Sequence, residues 1–290
     1  MANSTLKKAI ASGETIIAPG VYDMISATIA EKVGFPAVFV GGFGVSASYL
    51  GVPDVGIMTF TDMLDRVRMI SSASTRPVIV DGDTGYGGLV NLRQAVRSYE
   101  QVGVAAIQIE DQVFPKRCGH AKGVEVCTID EMLKRIGVVV ENRMTDSFLL
   151  IARTDSRPEH GLEESIKRAK AYSDAGADLI FIESPQTVEE IKILKDSIDT
   201  PLVFKMVPDG GLSGLSSKLL SEIGFSILIY PTLSFLSAAG AIQKAFNEFK
   251  ATGLVKKQEM QPFDEFSDMI GFEEIYSFED RWNNKKNKEL

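Results

Sequence analysis

The chain has 290 residues, with 31 Lys and Arg against 39 Asp and Glu, for a formal net charge of −8. Its pI near 5.0 tells against a basic surface built for nucleic-acid phosphates, so a nucleic-acid partner is not expected. No apolar run approaches the roughly 18 residues that cross a bilayer, and 44% hydrophobic residues with 25 Gly and 11 Pro are ordinary for a globular chain. Met1 to Thr15 lacks the apolar core of a signal peptide, and Cys118 and Cys127 are too few for a disulfide framework. A cytoplasmic protein with a small-molecule partner and no membrane contact is the expectation.

Eight apolar runs of strand length follow one another, beginning near Thr15, Ala37, Pro77, Ala105, Phe148, Leu179, Pro201 and Ser226. They are near-continuous rather than alternating, as in parallel strands covered on both faces. Helical periodicity separates them, for example at Leu92, Ala95, Val96 and Tyr99, or at Leu162, Ile166, Ala169 and Tyr172. Thr128 with Glu131, and Thr187 with Glu190, have the spacing of capping boxes at helix starts. Gly34, Gly103, Gly176 and Gly224 each stand just before a strand, as glycines that reverse the chain after a helix. Eight alternations predict an α/β fold, the (β/α)8 TIM barrel, in a single domain over residues 1–290. A helical extension at about 233–285 carries apolar faces from Leu233 to Lys250 and from Phe263 to Trp282, which suggests packing on another subunit. The terminal NNKKNKEL is expected to fray.

Barrel enzymes carry their chemistry at the carboxyl ends of the strands, and charge gathers there. The third strand ends in Asp81-Gly-Asp83, the fourth in Glu110-Asp111, the fifth in Arg153-Thr154-Asp155 and the sixth in Glu183, and the seventh carries Lys205. Any one of these could be a helix cap or the counter-ion of Arg153. Asp81, Asp83 and Glu110 offer hard oxygen ligands without His or Cys, a set suited to Mg2+ or Mn2+ held partly through water. Arg153 offers a planar fork for a substrate carboxylate, against the alternative that it only balances the acidic cluster.

The connection from Asp111 to Thr128 is much longer than the two to six residues usual for such a loop, and contains Lys116-Arg117-Cys118-Gly119-His120. It reads as a lid. Basic neighbours suit Cys118 to proton donation or nucleophilic attack, whereas Cys127, just before a helix, reads as structural. A second long connection, Phe43 to Thr59, carries Val52-Pro53-Asp54 and could face the first across the mouth.

KRCGH after IEDQ, together with DGDTGYG, ARTD, LGVPD and PGVYD, resembles the isocitrate lyase and phosphoenolpyruvate mutase superfamily over almost the whole chain. The length and motifs are most similar to its short carbon–carbon lyases acting on 2-methylisocitrate or 2,3-dimethylmalate, and also to carboxyphosphonoenolpyruvate mutase. The resemblance implies that Asp81, Asp83 and Glu110 hold Mg2+ with Asp54 nearby. It further implies that Arg153 and the backbone at Gly42 and Phe43 bind the α-oxo acid, that Cys118 is the proton donor, and that Tyr22 lies near the substrate hydroxyl. Asp81, His120 and Lys205 are placed among the substrate-binding groups, and Lys116 and Glu183 among those that polarise or orient. A homotetramer that exchanges its eighth helix is the implied assembly.

After the seventh strand the chain reads Phe204-Lys205-Met206-Val207-Pro208-Asp209-Gly210-Gly211, where methylisocitrate lyases carry an Asn and a Thr-Glu-Phe-Gly stretch. Loss of that Glu and Asn favours a substrate that releases a monocarboxylate, such as 2,3-dimethylmalate giving pyruvate and propionate. Alternatives are methylisocitrate cleavage, a mutase-type isomerisation of a phosphonate, a Schiff-base aldolase using Lys205, and a barrel kept only for binding.

Overall fold

In the computed structural model, which describes residues 2–117, 119, 123–208, 212–255 and 260–286, each predicted strand forms. They are β1 (Ile16–Val21), β2 (Val38–Val40), β3 (Val78–Asp81), β4 (Ala106–Glu110), β5 (Leu149–Thr154), β6 (Leu179–Ile182), β7 (Leu202–Lys205) and β8 (Ile227–Tyr230). Each pairs in parallel with its sequence neighbour, and β8 returns to β1 to close the barrel. The registers that matter for the mouth are Asp81 beside Gln108 and Glu110 beside Arg153.

Strand side chains alternate between two apolar layers, because successive Cβ atoms point to opposite faces. Phe39, Ile79, Ala106, Leu149, Ile151, Leu179, Phe181, Val203, Ile227 and Ile229 fill the barrel interior. Val38, Val80, Ile107, Ile109, Leu150, Ala152, Ile180 and Leu228 join the layer between barrel and helices. Counting on by twos along each strand turns Asp81, Glu110, Arg153, Glu183 and Lys205 inward at the carboxyl end. A packed apolar plug therefore carries a charged mouth.

The expected helix starts and stops are borne out at most positions. Thr128 and Glu131 form a complete capping box. Thr187 accepts from the Glu190 backbone, but the Glu190 carboxylate is drawn away to Arg157 and to the Gln186 N–H, so only half a box forms. Gly34, Gly103, Gly176 and Gly224 adopt φ of 93°, 89°, 102° and 102°, the left-handed conformation in which a side chain is strained. Two features had no sequence signal: a helix over Ala2–Ala11 and a π-helical turn over Ser46–Leu50.

The chain divides into two compact units, residues 1–235 and 236–290. In the second, helices Phe263–Met269 and Phe272–Lys286 carry ring pairs Phe272–Tyr276 and Phe278–Trp282. The last helix runs to Lys286, and the remainder of the terminal segment expected to fray, residues 287–290, lies outside the described residues. Phe246, Phe249, Phe263, Ile275 and Trp282 are exposed. No helix of the described residues is long and apolar enough to cross a membrane.

Candidate active site

The acidic residues at the mouth fall into two linked groups. In the first, Lys116 Nζ lies 2.5 Å from Asp54 Oδ1 and 2.7 Å from Asp83 Oδ1. Asp83 follows β3 by two residues in a left-handed conformation, φ 48°, that turns its backbone N–H toward Asp81 Oδ1 at 3.3 Å. Gln108 of β4 donates to the same Asp81 oxygen at 3.2 Å. Gly42 is backed directly onto this group, since a Cβ there would stand 3.3 Å from Asp54 Oδ1 and 3.5 Å from Asp83 Oδ1.

The second group is built around Arg153 at the end of β5. Its Nε and Nη2 donate to the two carboxylate oxygens of Asp155 at 2.9 and 2.7 Å. Nη1 faces Glu110 Oε2 at 3.3 Å, and Nη2 faces Glu183 Oε2 at 3.2 Å. Lys205 donates to the other Glu183 oxygen, which also accepts from Ser184 Oγ at 3.0 Å. The Glu110 N–H donates to the Asp83 carbonyl at 2.9 Å, so the two groups share a strand end.

Burial shapes the protonation of both groups. Desolvation, opposed by Lys116 and reinforced by Asp81 and Asp54, pushes the Asp83 carboxyl up to about 7. Burial likewise raises Glu110 well above the usual carboxylate range against the pull of Arg153, and raises Asp155 to about 6. Lys116 pays for its own burial, yet Asp83, Glu110 and Asp54 hold its ammonium above the ordinary lysine value. On the β1 side, burial and the nearby Asp23 charge raise Tyr22, so its phenol keeps its proton at neutral pH. Tyr22 and Phe43 both pack edge-on against Phe235, at 5.3 and 5.8 Å between ring centres.

A divalent cation fits this donor set. Glu110 Oε1 and Gln108 Oε1 are buried without a hydrogen-bond partner among the described residues, and the oxygens of Asp54, Asp81, Asp83 and Glu110 are hard donors. No three acidic, His or Cys side chains among the described residues converge on one point at ligating distance. Hard oxygen donors of this kind are those that Mg2+ takes, with water completing its shell. A cation held by Asp83 would take its carboxylate form and so displace a proton below about pH 7. A raised carboxyl pKa means that Asp83 favours the metal-free fold most below its unfolded range and loses that contribution as pH rises toward about 7. The rise in Tm on adding Mg2+ is thus expected to be larger at about pH 8 than at about pH 6, and equal rises by thermal shift would refute it.

Of the residues singled out from sequence, Asp54, Asp81, Asp83, Glu110, Lys116, Arg153, Glu183 and Lys205 meet at the mouth in these two groups, with Gly42 behind them. Cys118 and His120 lie outside the described residues. Gly119 between them is described, and a Cβ on it would fall 2.3 Å from Arg153 Nη2 and 3.1 Å from Asp155 Oδ1. The long loop therefore reaches the Arg153 group. Cys127 is buried, its thiol pushed up by desolvation, in keeping with a structural part. Sequence reasoning passed over Gln108 and Asp155 as site residues. Counting by twos back from Glu110 and on from Arg153 would have found both.

The "Phosphoenolpyruvate phosphomutase" family model matches residues 6–250. A 2,3-dimethylmalate lyase of Eubacterium barkeri is 40% identical over 276 residues, covering 94% of this chain and 96% of the relative. A crystal structure of 2,3-dimethylmalate lyase superposes with a TM-score of 0.90 at 36% identity, covering 97% of this chain and 95% of that one. A phosphonopyruvate hydrolase in complex with oxalate and Mg2+ gives a TM-score of 0.88 at 31% identity, over 97% of this chain and 99% of that one.

Proposed function

Because the chain belongs to the phosphoenolpyruvate mutase/isocitrate lyase superfamily, and is a carbon–carbon lyase, we propose that it cleaves 2,3-dimethylmalate to pyruvate and propionate. The observation that carries this choice is Lys205. The cation that ends β7 turns into the mouth, but its Nζ is committed to Glu183, which in turn faces Arg153. It is not poised for the second carboxylate that methylisocitrate would release as succinate, nor presented alone to a carbonyl as a Schiff-base lysine.

Asp81, Asp83 and Glu110, with Asp54 beside them, would hold Mg2+ or Mn2+, which supplies Lewis acidity at the 2-hydroxyl and its neighbouring carboxylate. Arg153 would receive that carboxylate on Nη1 as Glu110 turns from it to the cation, while Asp155 keeps its clasp on Nε and Nη2, and the backbone at Gly42 and Phe43 closes the other side. The protonated phenol of Tyr22 donates to the 2-oxygen. As the 2-hydroxyl proton passes to a carboxylate of the acidic group at the mouth, C2 becomes the ketone of pyruvate and the C2–C3 bonding pair passes to C3 of the departing acid. Cys118, carried by the long loop with His120, protonates that carbon, and the loop keeps water from doing so. Lys116 and Glu183 orient the groups on either side. All of these residues lie in the unit 1–235, and we assign the exposed aromatic surface of residues 236–290 to assembly of a cytoplasmic homotetramer by helix exchange, around one barrel domain.

Two assays test the reading. Released pyruvate, coupled to a dehydrogenase, should give a higher kcat/KM for 2,3-dimethylmalate than for 2-methylisocitrate, and Lys205→Met should keep that order. A wild-type preference for methylisocitrate that vanishes in Lys205→Met would assign Lys205 to the second carboxylate and overturn the choice of substrate. Cys118→Ser should retain KM and lose about 10²–10⁴-fold in kcat, since a hydroxyl is a much poorer acid toward a carbanion. Normal turnover in Cys118→Ser with loss in Cys127→Ser would move the acid to the wrong cysteine for this mechanism.

A further inference from the structure

Glu110 is followed by a second carboxylate that the mechanism does not use. Asp111 is one step beyond Glu110, so it faces the opposite way, out of the mouth and into the layer between barrel and helices. It is fully buried there. Its Oδ2 accepts from Thr154 Oγ1 at 2.7 Å, from Tyr172 OH at 2.7 Å and from Arg168 Nη1 at 3.0 Å, and its Oδ1 accepts from the Asp155 N–H at 2.9 Å. Its own N–H donates to the Arg153 carbonyl at 3.2 Å, and its carbonyl accepts from the Cys127 N–H at 2.7 Å. Arg168 Nη1 also donates to the Cys127 carbonyl at 2.8 Å.

These partners are not scattered. Thr154 and Asp155 follow Arg153 directly, while Cys127 is where the long loop returns to its helix. Tyr172 and Arg168 sit one turn apart on the helix Arg157–Asp174, the outer wall behind them. A buried Asp–Arg pair costs desolvation on both sides and is weak evidence for stability. What this one does supply is a fixed position for the Asp155 backbone, and Asp155 is the bidentate clasp on Arg153.

We propose that Asp111 is a positioning residue for the reaction: its buried carboxylate sets Asp155, through Asp155 the plane of the Arg153 guanidinium, and ties both to the foot of the long loop at Cys127. Arg168 and Tyr172 hold Asp111 in turn. This rests on the reading above that Arg153 receives the α-oxo acid carboxylate.

The test uses oxalate, a planar dianion that mimics the oxo-acid half, titrated calorimetrically into full-length enzyme with Mg2+, alongside Mg2+ alone and thermal unfolding. Asp111→Asn keeps the shape and removes the charge, and Tyr172→Phe removes a single donor and leaves the packing. Oxalate should weaken by about tenfold in Asp111→Asn and about threefold in Tyr172→Phe, with Mg2+ affinity held within about twofold in both. With substrate, the loss should fall in KM rather than kcat. Should Asp111→Asn fail to fold, Tyr172→Phe decides alone. Unchanged oxalate affinity, or oxalate and Mg2+ weakening in parallel with a lowered Tm, overturns the proposal. A wild-type enzyme that binds Mg2+ but not oxalate overturns the reading of Arg153 and this inference with it.

Discussion

Asp83→Asn is expected to cut turnover by about 10³-fold or more while leaving the barrel folded. The amide keeps the shape that fits between Gly42 and Lys116, so the loss traces to charge. Burial already pushes the Asp83 carboxyl up to about 7 against the pull of Lys116, which says that the ionised form is disfavoured in the metal-free fold. Removing it relieves repulsion from Asp81 and Asp54, so the metal-free Tm at about pH 8 should hold or rise. Two measurements separate the parts: pyruvate release for turnover, and thermal unfolding with and without Mg2+. An active variant, or a Tm that collapses without metal, would refute the assignment of Asp83 as a cation-holding group.

Arg153→Lys should lose about 10²-fold in kcat/KM, mostly through KM. The charge survives, but an ammonium cannot form the two parallel bonds to Asp155 at 2.9 and 2.7 Å while also presenting an edge to substrate. One Asp155 oxygen is left buried without its donor, a cost of about 1–3 kcal/mol that should show as a lower Tm. Since Glu110 and Glu183 also face the guanidinium, a Gln in its place would take a cation away from three carboxylates at once. The lysine variant is therefore the informative one. Near-normal KM in Arg153→Lys would mean that Arg153 serves only as counter-ion to the acidic cluster.

The barrel was legible because strands buried on both faces must be apolar at every position, which leaves little room for another reading of runs such as LLIAR or LIFI. The mouth was legible for a related reason: charge at the end of an apolar strand has no packing excuse, and it recurred at Asp81, Glu110, Arg153, Glu183 and Lys205. What could not be read depends on partners far along the chain. Thr187 and Glu190 have capping-box spacing, yet Arg157, distant in sequence, takes the Glu190 side chain. Asp111 looks like one more mouth carboxylate until its partners are known to be Arg168 and Tyr172, 57 and 61 residues away. Half of the Ala2–Ala11 helix is polar, and its Leu6 is the anchor whose burial decides it.

The close approach of Gly119 to Arg153 has a bearing on inhibitor chemistry. A single methyl on Gly119 would already overlap Arg153 Nη2, so with the loop in this position the space above the guanidinium is filled by backbone to within an atom's thickness. A ligand anchored on Arg153 can present a flat carboxylate there and nothing taller. Esters, amides or hydroxamate extensions at that end would collide with the Gly119 backbone. Compounds extended at the Arg153 end should therefore bind more weakly than their parent carboxylates, a difference readable by calorimetry.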